Sequence, residues 1–541
     1  MLVNDTPVNY ALIIAAKYGA GHVGLGCVLY FIIALFIGGV PAISFPFSIL
    51  VEVYGLVEIL WYLLWFLPYK ARLQKPGLRM TANTRSQRKV LIEMSLGQVP
   101  DARLFIRKWF GNAHLDEIYR EDVKDWLLSF LWAADSDAGI EADELDEYIE
   151  LIEQRADLTL FPGRAGAKPI RPALDPVQVS HRSLLFYAAI ALIDITAVLR
   201  LKVKGFQFYA QPRASFIRVF PLRPMTLFSG KRSASPHLSY LYRPHTSKTH
   251  RPVVFCHGVG TGLAPYIAWL DALPRDIGVL ALEMLPASMR LCPDAATLAP
   301  AEFRNAVLQI LAQQDITDFV FVGHSLGTLL ARPLLDDLGL AARVHALVLC
   351  DPAALLAHLP DAAYNLTRRT PRTAAELQVR DLAALDPGVA RLLARSGSHW
   401  SEYGLSREDL LGRRATVVVA GRDCVLDANA IAGYVYYGDV EYLTSADIEE
   451  LRRTPELWTG QGEGPELIYL HGRDHGQCLR VPAEMRRVAN VVERYARLDP
   501  GADPMGDPRS EEKVESGQEQ NDADRATIGS RSSQVSAANF V

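Results

Sequence analysis

Phe319-Val320-Phe321-Val322-Gly323-His324-Ser325-Leu326-Gly327-Thr328-Leu329-Leu330-Ala331 joins a β-like apolar run to a helical pattern through a turn that holds Ser325 between two glycines. The turn is a G-x-S-x-G motif, and a strand before it with a helix after it is the setting that gives the motif meaning. In that setting a strained backbone pushes the serine Oγ out of the sheet edge, while Gly323 and Gly327 let strand and helix come close. The helix N-terminus behind Ser325 also favours developing negative charge. Ser325 is therefore the candidate nucleophile, with His324 in the variable position of the motif. Read without chemistry, the same residues are a glycine-rich strand-to-helix turn.

Working outward, similar apolar runs occupy 237–244, 252–259, 276–284, 344–352, 415–423 and 465–474, with helical patterns such as AEFRNAVLQILAQQ (301–314) between them. Nearly continuous apolar runs suit strands buried on both faces, and their alternation with helices predicts an α/β fold with a mostly parallel central sheet. The run at 252–256 leads into His257-Gly258-Val259-Gly260. Glycines after a strand allow backbone N–H groups to face a carbonyl oxygen that becomes charged. The expected donors are the amides of Leu326 and of Val259 or Gly260, with His257 supporting the loop.

A serine hydroxyl needs a base, and the base needs an acid to hold its tautomer; behind a nucleophile of this kind the acid and then the histidine follow in the chain. His324, His345, His358, His399, His471 and His475 are available. His475 lies just past the last strand run, in a loop able to reach the serine, whereas His471 sits in the run itself as a packed or strand-end residue. Asp423 ends the 415–420 run and ranks first as the acid. Asp351, one strand earlier, ranks second, and Asp427, placed to cap the next helix, third. Asp474 is too near His475 in sequence to orient it.

At these residues the chain resembles the α/β-hydrolase superfamily, over roughly 236–497. More narrowly, its apolar start, RSLLFY (182–187) and HLPDAAYN (358–365) resemble membrane-associated fungal α/β hydrolases. The resemblance implies Ser325 as nucleophile, Asp423 as acid, His475 as base, and an ester-cleaving, lipase- or esterase-like reaction. Acyl transfer and thioester cleavage use the same parts, and a non-catalytic scaffold is the rival from another class. No metal or organic cofactor is called for. Residues 353–413 stand where this fold inserts a cap that would select the substrate; their arginines suit either an acidic head group or a solvated face.

Half of the 541 residues are hydrophobic (50%), and the mean hydropathy of +0.08 places an apolar excess somewhere. It lies at the front: residues 23–43 carry no charge, and 47–67 form a second run ending in aromatic residues suited to a membrane interface. Glu52 and Glu58 interrupt the second run at a cost of roughly 2.5–3.5 kcal/mol each if unpaired at the bilayer centre. Lys70, Arg72, Lys75, Arg79, Arg85, Arg88 and Lys89 follow, which predicts a hairpin with a cytosolic flank. A third apolar stretch, 183–201, contains Asp194 and reads as a span, an interfacial helix or a docking helix. If it spans, Asn365-Leu366-Thr367 becomes a lumenal glycosylation sequon.

The expected organisation is a hairpin at 1–79, a mainly helical region at 80–235, a catalytic domain at 236–498 and a disordered tail at 499–541. The expected setting is an endomembrane such as the endoplasmic reticulum, with the lipid bilayer and a hydrophobic acyl substrate as partners. A net charge of −5 leaves no nucleic-acid footprint. The six cysteines, without a C-x-x-C pair, include Cys256, Cys350 and Cys424 in β-like runs, as small core residues.

Overall fold

The computed structural model describes residues 3–77, 83–137, 139–292, 299–395, 400–438, 441–453 and 464–498. The expected tail and His399 lie outside them. Nine strands form one sheet: β1 (Gln207–Ala210), β2 (Lys231–Arg232), β3 (Ser239–Arg243), β4 (Val253–Cys256), β5 (Val279–Glu283), β6 (Phe319–His324), β7 (Val344–Cys350), β8 (Arg414–Ala420) and β9 (Pro465–Leu470). Their order across the sheet is β2-β1-β3-β5-β4-β6-β7-β8-β9. From β5 onward every pairing is parallel, with β4 between β5 and β6 and Cys256 in register with Gly323.

Successive residues of a strand point to opposite faces, so a run buried on both sides supplies two cores. Val254, Cys256, Phe321, Leu347 and Leu349 pack on one face, against Phe303, Val307 and Ile310 of the helix Pro300–Gln313. Val253, Phe255, Val320, Val322 and Val348 pack on the other, against Trp269 and Leu270 and the helix Pro482–Ala496.

The sheet starts earlier than residue 236, because β1 and β2 add an edge to it. Residues up to Arg497 also form one unit rather than three bodies. The reason is packing. The helices Arg85–Gly97, Ala102–Trp109, Arg120–Trp132 and Ala142–Ala156 enclose Trp109, Trp126 and Ile149, and this core continues into Leu359, Tyr364 and Trp400 of the 353–413 insertion. Lys108 ties the layers by reaching Asp361 at 2.8 Å and Asp427 at 3.1 Å.

Among the described residues, three helices are long and apolar enough to cross a membrane: Gly21–Ile43, Pro46–Leu73 and Leu184–Val203. The first belongs to a longer helix, Pro7–Ile43, kinked at Gly39. The carboxylate of Glu58 has partners: it accepts the Leu184 N–H at 2.7 Å, at the N-terminus of the third helix, and the Tyr54 hydroxyl. Of the basic flank, Arg85, Arg88 and Lys89 are paired with Glu141, Glu144 and Glu147, at 2.8, 2.8 and 2.6 Å.

The third helix docks on the catalytic domain. Ala197, Val198 and Leu201 enter the core under the sheet. Asp194 bonds Arg223 at 2.9 Å and Arg290 at 3.0 Å, and Arg223 continues to Glu283 at 2.9 Å. Removing one partner of a buried ion cluster leaves the others uncompensated, at a cost of about 3–5 kcal/mol. Asp194→Asn is therefore expected to lower the unfolding temperature of the detergent-solubilised chain markedly, and a thermal melt checks it. The sequon is also engaged: the Asn365 amide donates to the Val425 carbonyl at 2.9 Å, and Leu366 lines the central cavity, so a glycan does not fit there.

Candidate active site

Ser325 sits at the end of β6 with φ of 53°, a left-handed conformation that a serine adopts only when its surroundings enforce it. The enforcement is tight packing. A Cβ on Gly327 would lie 2.2 Å from the Cys256 carbonyl oxygen, and one on Gly258 would lie 2.8 Å from both His324 Nδ1 and Ser325 Cβ. Glycine alone lets the turn after β6 press against the loop after β4. Gly323 lies within β6, opposite Leu349 of β7.

Three loops at the C-terminal ends of the strands bring the reactive groups together. His475 Nε2 lies 2.8 Å from Ser325 Oγ, and His475 Nδ1 lies 2.7 Å from Asp423 Oδ2. Asp423 Oδ1 accepts the amides of Val425 at 2.7 Å and Leu426 at 2.9 Å, so its second oxygen is aimed at the imidazole. Burial works against the charged form of His475, but the neighbouring Asp423 more than compensates and raises its pKa to about 9, with help from Asp351 and Asp474.

The other carboxylates hold the frame. Asp351 is fully buried; Oδ1 accepts the Ala420 amide at 2.9 Å and Oδ2 the Gly476 amide at 2.6 Å, fixing the loop that carries His475. Asp474 receives the Cys424 amide at 3.0 Å and ties that loop to the one bearing Asp423. Asp427 caps the helix Ala428–Tyr437 by accepting the Ala430 amide at 3.1 Å. His471 is exposed beyond the end of β9 and is not packed.

The two motif histidines are buried props. His257 Nε2 accepts the Met284 amide at 3.0 Å, which places the proton on Nδ1, directed at the Gly258 carbonyl 2.8 Å away. His324 Nδ1 lies 2.8 Å from the Tyr266 hydroxyl, and burial lowers its pKa to about 4, which keeps it neutral beside His475. Tyr266 also accepts the Gly258 amide at 3.1 Å. No motif announced Tyr266; its role arises from the fold alone.

Of the two alternative donors in the glycine loop, Gly260 is excluded, because its amide donates to the Ala287 carbonyl at 2.9 Å. Among the described residues the amides of Val259 and Leu326 have no acceptor, and both residues line the same cavity as Ser325 and His475.

That cavity has a volume of about 1060 Å³, at the upper end of small-molecule sites, and its walls are mainly apolar. Leu382, Val389 and Leu392 come from the insertion between β7 and β8, and Phe186 and Ile190 from the helix Leu184–Val203, a contribution the sequence did not foretell. Four arginines of the insertion are engaged elsewhere. Arg368 pairs with Asp175, Arg369 with Glu376, and Arg391 and Arg395 bind the carbonyls of Cys292 and Ala173, both at 2.7 Å. They do not form a head-group site.

A parallel sheet, a serine on a strained turn and an insertion over it define an α/β-hydrolase domain. Residues 253–507 match the model of the alpha/beta hydrolase family. No curated protein matches the sequence significantly. Among solved structures, the chain is similar to a membrane phospholipase A described as a bacterial virulence factor, at 13% identity and a TM-score of 0.35, covering 58% of this chain and 94% of that one. It is also similar to carboxylesterase NP from Bacillus subtilis, at 12% identity and a TM-score of 0.30, covering 47% and 87%. A third is carboxyl esterase 2 from the mycorrhizal fungus Tuber melanosporum, at 17% identity and a TM-score of 0.32, covering 48% and 80%. Nothing about activity follows from likenesses this distant.

Proposed function

We propose that this chain is a membrane-anchored serine hydrolase that cleaves an ester of an apolar acyl group. The observation that carries the reading is the unbroken relay from Ser325 Oγ to His475 to Asp423, with hydrogen bonds of 2.8 and 2.7 Å, at a wall of an apolar cavity. Ser325 Oγ attacks the acyl carbonyl as its proton passes to His475 Nε2, and Asp423 holds the imidazole and supports its positive charge. The amides of Leu326 and Val259 receive the developing oxyanion, an interaction worth about 2.7–4 kcal/mol per donor in enzymes of this chemistry. The imidazolium returns its proton to the departing alkoxide. A water deprotonated by the same nitrogen then releases the acid from the serine. The three apolar helices support a membrane setting.

Labelling with a fluorophosphonate tests the reading, since such probes phosphonylate a serine only where a base activates it. The intact chain is expected to be labelled, with the adduct located on Ser325 by mass spectrometry. Folded protein that takes up no probe would be the scaffold rival instead.

A further inference from the structure

The cavity around Ser325 also has an address. Of the apolar residues that line it, Ala189, Ile193 and Pro236 are exposed, and the first two lie on the helix Leu184–Val203. The same side of that helix carries Leu185, Leu192, Leu199 and Val203, which are exposed too. A water-soluble surface seldom leaves so many large apolar side chains together. The exposed polar residues of the lining are Arg218, His237, Glu302 and Arg480. The rim is therefore amphipathic, with an apolar lip on the helix and, apart from Pro236, polar groups elsewhere.

The apolar lip is joined to the hairpin. Glu58, midway along Pro46–Leu73, accepts the Leu184 amide at 2.7 Å; Tyr54 accepts the Leu185 amide at 3.2 Å; and Trp61 Nε1 donates to the Arg182 carbonyl at 3.1 Å. A hairpin seated in a bilayer holds the first turn of the third helix at acyl-chain depth. The bilayer is thus the occupant of this face, by continuity with the apolar hairpin.

We infer that substrate reaches Ser325 sideways from the bilayer, past Ala189 and Ile193, and that the enzyme acts on long-chain acyl esters resident in the membrane. The chain slides along the apolar lip while the polar end of the molecule stays at the polar rim. This inference rests on the serine-hydrolase reading above and adds the source and class of its substrate.

The test uses the full chain reconstituted in phosphatidylcholine vesicles, with p-nitrophenyl acetate in the water and a fluorogenic long-chain ester in the vesicles. Leu192 and Leu199 touch neither the cavity nor the relay, so the double variant L192D/L199D is expected to hydrolyse the acetate as the wild type does. Two carboxylates on the outer face oppose its burial in lipid, so hydrolysis of the vesicle-borne ester is expected to fall by about a hundredfold. An equal rate on the vesicle-borne ester, or an equal loss on both esters in protein that still takes up fluorophosphonate, overturns lateral entry. Should the variant misfold, surface dilution of the wild type decides. At fixed bulk ester, adding inert lipid must lower the rate, and a rate that ignores dilution overturns the inference. A wild type inactive on both esters and inert to the probe would instead refute the hydrolase reading.

Discussion

Ser325→Ala is expected to remove fluorophosphonate labelling and to lower ester turnover by about 10⁶-fold, close to what loss of the whole relay costs in enzymes that share this logic. The effect is large because the serine, the imidazole and the carboxylate act as one unit; without the attacking oxygen, His475 has no proton to accept. The fold is expected to survive, since among the described residues Ser325 Oγ bonds His475 alone and the turn around it is held by Gly258, Gly327 and Tyr266. Progress curves for p-nitrophenyl acetate, beside a thermal melt of the same sample, check both halves of the expectation.

Asp423→Asn is expected to cost about 10⁴-fold in kcat, because an amide no longer accepts the Nδ1 proton and the imidazole loses its tautomer. A second readout separates this role from a merely structural one. In the intact site Asp423 favours the imidazolium and raises the His475 pKa to about 9. Only the neutral imidazole accepts the serine proton, so kcat/KM of the wild type is expected to rise with pH from 6 towards an inflection near that value. Removing the carboxylate leaves burial as the main influence, and burial favours the neutral form. The residual activity of the variant should therefore inflect at lower pH than the wild type. An unchanged inflection would show that another group, such as Asp351, sets the charge on His475.

Much of this architecture is legible in the residues. Seven strands declare themselves because each is apolar on both faces, which few helices or loops imitate over so short a span. The elbow is readable for the same reason: Ser325 is flanked by glycines that nothing larger could replace. β1 and β2 are less visible, since strands of four and two residues at a sheet edge carry too little pattern. Asp194 stands out in an apolar helix, but Arg223 and Arg290 are brought to it by tertiary structure only. The choice between Val259 and Gly260 likewise depended on an acceptor, the Ala287 carbonyl, that lies well along the chain.

The beginning of the chain also has a bearing on how the molecule is made. Asn4 Oδ1 accepts the Gln477 side-chain amide at 3.2 Å, two residues from the base, and Asp5 accepts the Ala374 amide at 3.0 Å. Those partners lie hundreds of residues apart in the chain, Asn4 and Asp5 ahead of the hairpin and Gln477 beyond β9. Synthesis in chain order therefore makes the apolar hairpin before the loop that carries His475. On the proposed reading, Ser325 has no base to activate it until β9 has joined the sheet and the loop after it has brought His475 alongside.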